Sequence, residues 1–165
     1  RLAALHTSRR KVPMVPPPTK ASPSLYDLDE GARSALIVVD IQKDWYSASK
    51  FVRSEFPELK ENVTRALHVF RERGVAVVHV RAKYDCPKSS PHVRYFKRLN
   101  PEKPGSEVSV EPEEWARECP GELVVYKPTF DGFHNTSLHA ELQRMGIDRI
   151  YVCGLVTAAC VLNTC

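Results

Sequence analysis

Three side chains with complementary chemistry lie far apart along the sequence: Asp40 at the end of ALIVVD, Lys127 at the end of ELVVYK, and Cys160 within CGLVTAACVLNTC. A thiolate is a strong nucleophile, a carboxylate can carry protons to and from it, and an ammonium favours negative charge on sulfur or on a developing oxyanion. These are the parts of covalent acyl transfer, where a thioester divides one difficult displacement into two easier ones. Singly, each residue has an ordinary structural account: an Asp that caps a turn, a Lys in solvent, a Cys that fills a core. A shared function requires the fold to gather them.

Each candidate follows a run of strand length. ALIVVD (35–40), VAVVHV (75–80), ELVVYK (122–127) and RIYVCGL (149–155) are short, β-branched and apolar on both faces, as strands covered by helices on both sides must be. Between them lie helical periods. Leu59, Val63, Leu67 and Phe70 recur at helical spacing before Gly74, and Leu138, Leu142 and Met145 do so before Gly146, each glycine standing where a left-handed cap belongs. Strand and helix in alternation imply an α/β fold with a parallel sheet and right-handed crossovers. In such sheets ligands bind beyond the carboxyl ends of the strands, which is where Asp40 and Lys127 stand; Pro128 holds Lys127 extended. Cys160 is expected at the N-terminus of a helix, where free N–H groups and the helix dipole would favour thiolate. The long connection from Tyr84 to Pro120 carries six prolines. Within it SPHVRYFKRL and EPEEWARE each read as a short helix opened by Pro.

Composition narrows the function classes. The chain of 165 residues carries a formal charge of +4, but residues 1–26 hold five basic side chains and no acid, so residues 27–165 balance 19 basic against 20 acidic ones. No clustered basic face suited to a phosphate backbone is present, and nucleic acid is not an expected partner. No apolar run approaches the roughly 20 residues of a membrane helix. Five cysteines without CxxC read as reduced thiols, Cys153 and Cys165 among them as packing, and the six histidines show no HExxH or zinc spacing. Neither a metal nor another cofactor is expected. No glycine-rich phosphate turn follows the first strand, which argues against a nucleotide-binding domain. Residues 1–24, with five prolines and no acid, are expected to form a disordered tail. That tail reads as a linker or trimmed upstream segment, placing the protein in the cytoplasm, or else as the remnant of an organelle-targeting peptide.

The three motifs together resemble the isochorismatase-like cysteine hydrolases, a family that includes nicotinamidases and N-carbamoylsarcosine amidases. ALIVVDIQKDW resembles the family's opening strand, PGELVVYKPTFDGFHNTSL its lysine strand, and CGLVTAACVLNT its nucleophile turn, with Gly154, Thr157, Cys160, Val161 and Thr164 in place. The resemblance spans about residues 34–165 of a domain expected over 25–165. It implies a three-layer α-β-α, Rossmann-like fold and a triad of Asp40, Lys127 and Cys160. It further implies a cis peptide between Leu155 and Val156, with the N–H groups of Val156 and Cys160 as oxyanion hole. Asp131 and Gly132 stand where the family often has Ser-Ala, and Ala158 where it often has Asp. The metal-binding Asp-x-His of nicotinamidases has no counterpart. The family also continues through further helix and strand after the cysteine turn, so a C-terminal part is expected to be missing here.

The expected activity is hydrolysis of a small amide, ureido or related acyl substrate without a metal, by a protein that forms a homo-oligomer. Trp45, Tyr84, Phe130 and Phe133 are candidate pocket walls, and Arg81 is the candidate partner of a substrate carboxylate. The competing reading is a non-catalytic module of the same fold that serves binding or assembly.

Overall fold

The computed structural model describes residues 33–84, 90–101, 103 and 107–165. The tail expected over 1–24 lies outside the described residues, as do Cys86 and the N-terminal edge of the expected domain. Four strands, β1 (Ser34–Val39), β2 (Ala76–Ala82), β3 (Leu123–Lys127) and β4 (Arg149–Gly154), form one sheet in the order β3-β2-β1-β4. Every pairing is parallel, with Ile37 opposite Val78 and Val152, and Ala82 opposite Lys127. The class expected from the alternating pattern is the class observed.

The central strand explains the layering. Leu36 and Val38 of β1 point into a core with Val63, Leu67 and Phe70 of helix α2 (Leu59–Glu72), while Ala35, Ile37 and Val39 point the opposite way onto Leu138 and Leu142 of helix α4 (Leu138–Arg144). Period two in the strand and period 3.6 in the helices therefore meet on both faces. Short helices α1 (Lys50–Glu55) and α3 (Pro91–Leu99) join the α2 side through Val52, Val93, Phe96 and Leu99. Ser49 and Ser90 cap them by accepting the N–H groups of Val52 and Val93, and Pro91 opens α3 at a position where its missing N–H costs nothing. Gly74 and Gly146 end their helices with φ of 64° and 65°. EPEEWARE forms only a single 3-10 turn over Glu114–Ala116.

Part of the proline-rich connection is held in place by a seam. Its Ser109–Glu113 stretch runs antiparallel along the chain that leaves β1: Lys43 N–H donates to Glu111 O (3.0 Å), Glu113 N–H to Ile41 O (3.1 Å), and the Gln42 carboxamide to Ser109 O (2.6 Å). Glu113 in turn accepts the N–H of Ser47 at 2.9 Å. On the other side, Glu122 just before β3 accepts both Arg71 nitrogens (2.7 and 2.8 Å) and the Cys119 N–H (2.9 Å), and pairs with buried His79 (2.8 Å). β3, and with it Lys127, is thus fixed at its start as well as along its length.

Candidate active site

Because the strands are parallel, their carboxyl ends open on one edge of the sheet. Asp40 follows β1 in a left-handed conformation (φ 53°), which Asp tolerates better than most residues. Its own N–H donates to Val80 O at 2.8 Å, and its Oδ1 accepts the Ala82 N–H at 2.8 Å, so the carboxylate is tied to β2. Lys127, 0% exposed, brings Nζ to 2.9 Å from Asp40 Oδ2 and donates to Thr129 O at 3.0 Å. Asp40 Oδ2 has no other partner. That oxygen therefore keeps a lone pair for a further donor.

Cys160 completes the cluster from the turn after β4. It is 2% exposed, and the Asp40 carboxylate and the Lys127 ammonium act on its thiol in opposite senses. Two glycines permit this approach. Gly154, opposite Val39, has φ 131°, and a Cβ there would lie 2.0 Å from Val39 O. Gly132 leaves space for Thr164, whose Oγ1 accepts the Gly132 N–H (3.0 Å) and donates to Cys160 O (2.6 Å), linking the lysine loop to the cysteine turn. The Leu155–Val156 peptide is cis.

The local structure around the thiol differs from the expected helix N-terminus. Thr157–Val161 is one π turn with Cys160 fourth of its five residues, and helix α5 beyond it spans only Leu162–Thr164. Burial, reinforced by the Asp40 carboxylate and opposed by Lys127, pushes the Cys160 thiol up to about 12. Burial thus works against the thiolate that a helix dipole would favour. Burial would lower the pKa of Lys127, but the Asp40 carboxylate and the Cys160 sulfur outweigh it and raise it, so the ammonium persists. Cys153, within β4, is likewise pushed up to about 12, by burial alone.

The expected pocket residues separate. Tyr84 lies with its ring centroid 5.8 Å from Lys127 Nζ, and Phe130 lies 6.5 Å from Tyr84. Trp45 is 1% exposed and packs on Phe96 (5.0 Å) beneath this surface, so it is core and not wall. Phe133 packs against the α4-side cluster that contains Cys160. Arg81 is buried and ion-paired with Glu118, which engages its charge and removes it as a substrate partner. Two residues absent from the sequence-based set join the site: His92, 4.4 Å from Phe130 and within the field of Lys127, and Tyr95, 5.4 Å from Phe130 and within the field of Cys160. Both lie on α3, where a three-residue spacing puts them on one face. Gln42 is a third; its Oε1 shares the Ala82 N–H with Asp40. Among the described residues, no group of three His, Cys, Asp or Glu converges as a metal site would require.

A parallel sheet covered by helices on both faces, with a carboxylate, an ammonium and a buried sulfur at one edge, defines a three-layer α/β protein. Residues 34–165 match the isochorismatase domain, and the chain belongs to that family. It is 29% identical over 128 residues to the uncharacterized isochorismatase family protein YddQ of Bacillus subtilis, covering 78% of this chain and 65% of that one. It is 27% identical to the ureidoacrylate amidohydrolase RutB of Yersinia enterocolitica, covering 79% and 66%. A cysteine hydrolase from Pseudomonas syringae superposes with a TM-score of 0.63 at 27% identity, over 80% of this chain and 63% of that one. The chain thus spans about two thirds of the length of such relatives, among which hydrolases are represented.

Proposed function

We propose that this protein is a cysteine hydrolase of small amide, ureido or related acyl compounds, with Cys160 as nucleophile, Asp40 as proton carrier and Lys127 as charge stabiliser. The observation that carries this reading is the Lys127–Asp40 pair at 2.9 Å, fully buried against the Cys160 thiol. As sulfur attacks the carbonyl carbon, the thiol proton passes to Asp40 Oδ2, the one carboxylate oxygen that Ala82 leaves open. The π electrons move onto the carbonyl oxygen, which the N–H groups of Val156 and Cys160 would receive. Collapse breaks the C–N bond, the amine leaves with the proton held by Asp40, and a thioester remains. Water then gives a proton to Asp40 and adds its oxygen to the acyl carbon; the C–S bond breaks and the thiol recovers its proton, leaving an acid and an amine.

A thiol pushed up by burial suits this sequence. The proton travels only when the carbonyl is in place, and Lys127 keeps its charge throughout. In Cys160→Ala, turnover across a panel of small amides and ureido compounds is expected to fall by about a thousandfold or more, and an acyl adduct on Cys160 should appear in the mass spectrum of the unaltered protein during turnover. Hydrolysis undiminished in Cys160→Ala would exclude the mechanism. Absence of any adduct, with no member of the panel turned over, would favour the non-catalytic module.

A further inference from the structure

Helix α3 stands beside the Asp40–Lys127–Cys160 cluster and brings an imidazole to it. Val93, Phe96 and Leu99 bury its inner face, while His92 and Tyr95, three residues apart, both meet Phe130 in the loop after β3. The two are not equivalent. Tyr95 interacts with Cys160, whereas His92 lies 5.5 Å from the Tyr84 ring, which in turn lies 5.8 Å from Lys127 Nζ. His92 thus stands on the ammonium side of the cluster. It is half-buried, so solvent can protonate it while its charge is felt inside. Burial among the rings of Tyr84 and Phe130 disfavours a charged imidazole, the Lys127 ammonium repels one, and together they hold His92 below its ordinary 6.5. The backbone acts in the same direction, since Pro91 and His92 form the first turn of α3 at the positive end of the helix dipole. Among the described residues, the titratable groups packed around the ring are Tyr84 after β2, Lys127 at the end of β3 and Tyr95 on α3 itself. No carboxylate among them acts on it.

We propose that His92 is a positioning residue for the proposed hydrolysis, that it works as the neutral imidazole, and that its protonation slows turnover by adding a second cation beside Lys127. That cation would stabilise the Asp40 carboxylate, 2.9 Å from Lys127 Nζ, and so oppose transfer of the thiol proton onto it. Lys127 already supplies the positive charge; a second one works against the proton step. The oxyanion would form at the Cys160 turn, on the Tyr95 side, and gain less from it. The assignment rests on the reading that Asp40 takes that proton, but the action of the His92 charge on the sulfur is measurable without turnover.

The measurement is kcat/KM against pH for the panel of small amides and ureido compounds. In the unaltered protein it should fall about tenfold below 6.5 as His92 protonates, the scale of one added charge nearby, with its inflection at the midpoint that NMR gives for the His92 ring. His92→Asn should remove that inflection. His92→Arg, a permanent cation, should show the lower rate at every pH, while His92→Met, similar in reach but uncharged, should stay within about threefold of the unaltered protein near neutral pH. Alkylation of Cys160 at about pH 9 should move the other way, about twofold or more faster in His92→Arg than in His92→Met, because there the thiol proton goes to solvent and the added cation favours the thiolate. A structural role would slow both variants alike. Persistence of the inflection in His92→Asn, equal turnover in His92→Arg and His92→Met, or equal alkylation in those two would each overturn the proposal. Undiminished turnover in Cys160→Ala, with the His92 inflection and the alkylation difference intact, would instead overturn the nucleophile and leave the role of His92 standing.

Discussion

The Ala82 amide hydrogen has two acceptors at 2.8 Å, Asp40 Oδ1 and Gln42 Oε1, and the Gln42 amide returns a hydrogen bond to Ala82 O at 3.1 Å. Gln42 is therefore a positioning residue: it fixes the peptide that orients Asp40 without reaching the sulfur. Gln42→Leu should lower kcat by about a hundredfold, the scale of a slight misplacement of a reacting group, with KM changed far less; a fall in thermal stability with kcat unchanged would assign it a purely structural role. The buried thiol makes a second prediction. With Cys160 pushed up to about 12, its alkylation rate should keep climbing through the ordinary thiol range near 9 with no inflection there. That Asp40, Lys127 and Cys160 meet at one edge of the sheet was readable because each follows a strand-length run. The upward push on the Cys160 thiol was not, since burial is a property of the fold. Arg81 was misread for a related reason: its partner Glu118 is 37 residues away, and nothing in local spacing marks the pair.

Elements were legible wherever one periodicity dominated. The strands, α2, α3 and α4 follow the apolar pattern to within a few residues, and Gly74 and Gly146 stop their helices as expected. The six-residue α1, with Val52 its one buried residue, offers too short a period to detect. The π turn was hidden because it depends on the contact of Gly154 with β1 and on the bond from Thr164 to Cys160, both tertiary. Gly154→Ala should lower stability by more than about 3 kcal/mol in urea unfolding, since its Cβ would collide with Val39 O in a backbone conformation that alanine avoids. Thr164→Val keeps the shape but orphans the Gly132 N–H and the Cys160 carbonyl; a loss of about 1–3 kcal/mol is expected, together with reduced acylation of Cys160.

At the scale of the molecule, charge is concentrated where it secures the sheet. Burial would raise the pKa of Glu122, but hydrogen bonds from Arg71, the Cys119 N–H and His79 outweigh it and hold the carboxyl down to about 2; burial keeps His79 below 6.5 and neutral. For both groups the unfolded chain binds protons more readily than the folded one, so stability falls with pH: first below about 6.5 as unfolded His79 protonates, then between about 4.5 and about 2 as Glu122 does. Urea midpoints across this range should show two descending steps, and Glu122→Gln should flatten the lower one. The seam along Ile41–Ser47 has a different implication. Glu111 and Glu114 lie on its solvent side, and Gln42 connects its inner side to the same amide that aims the Asp40 carboxylate. If the proposed hydrolysis holds, an antibody fragment gripping that rim, where Lys43 and Arg117 pair with the glutamates, is expected to act from outside as a non-competitive inhibitor whose effect no excess of substrate would relieve.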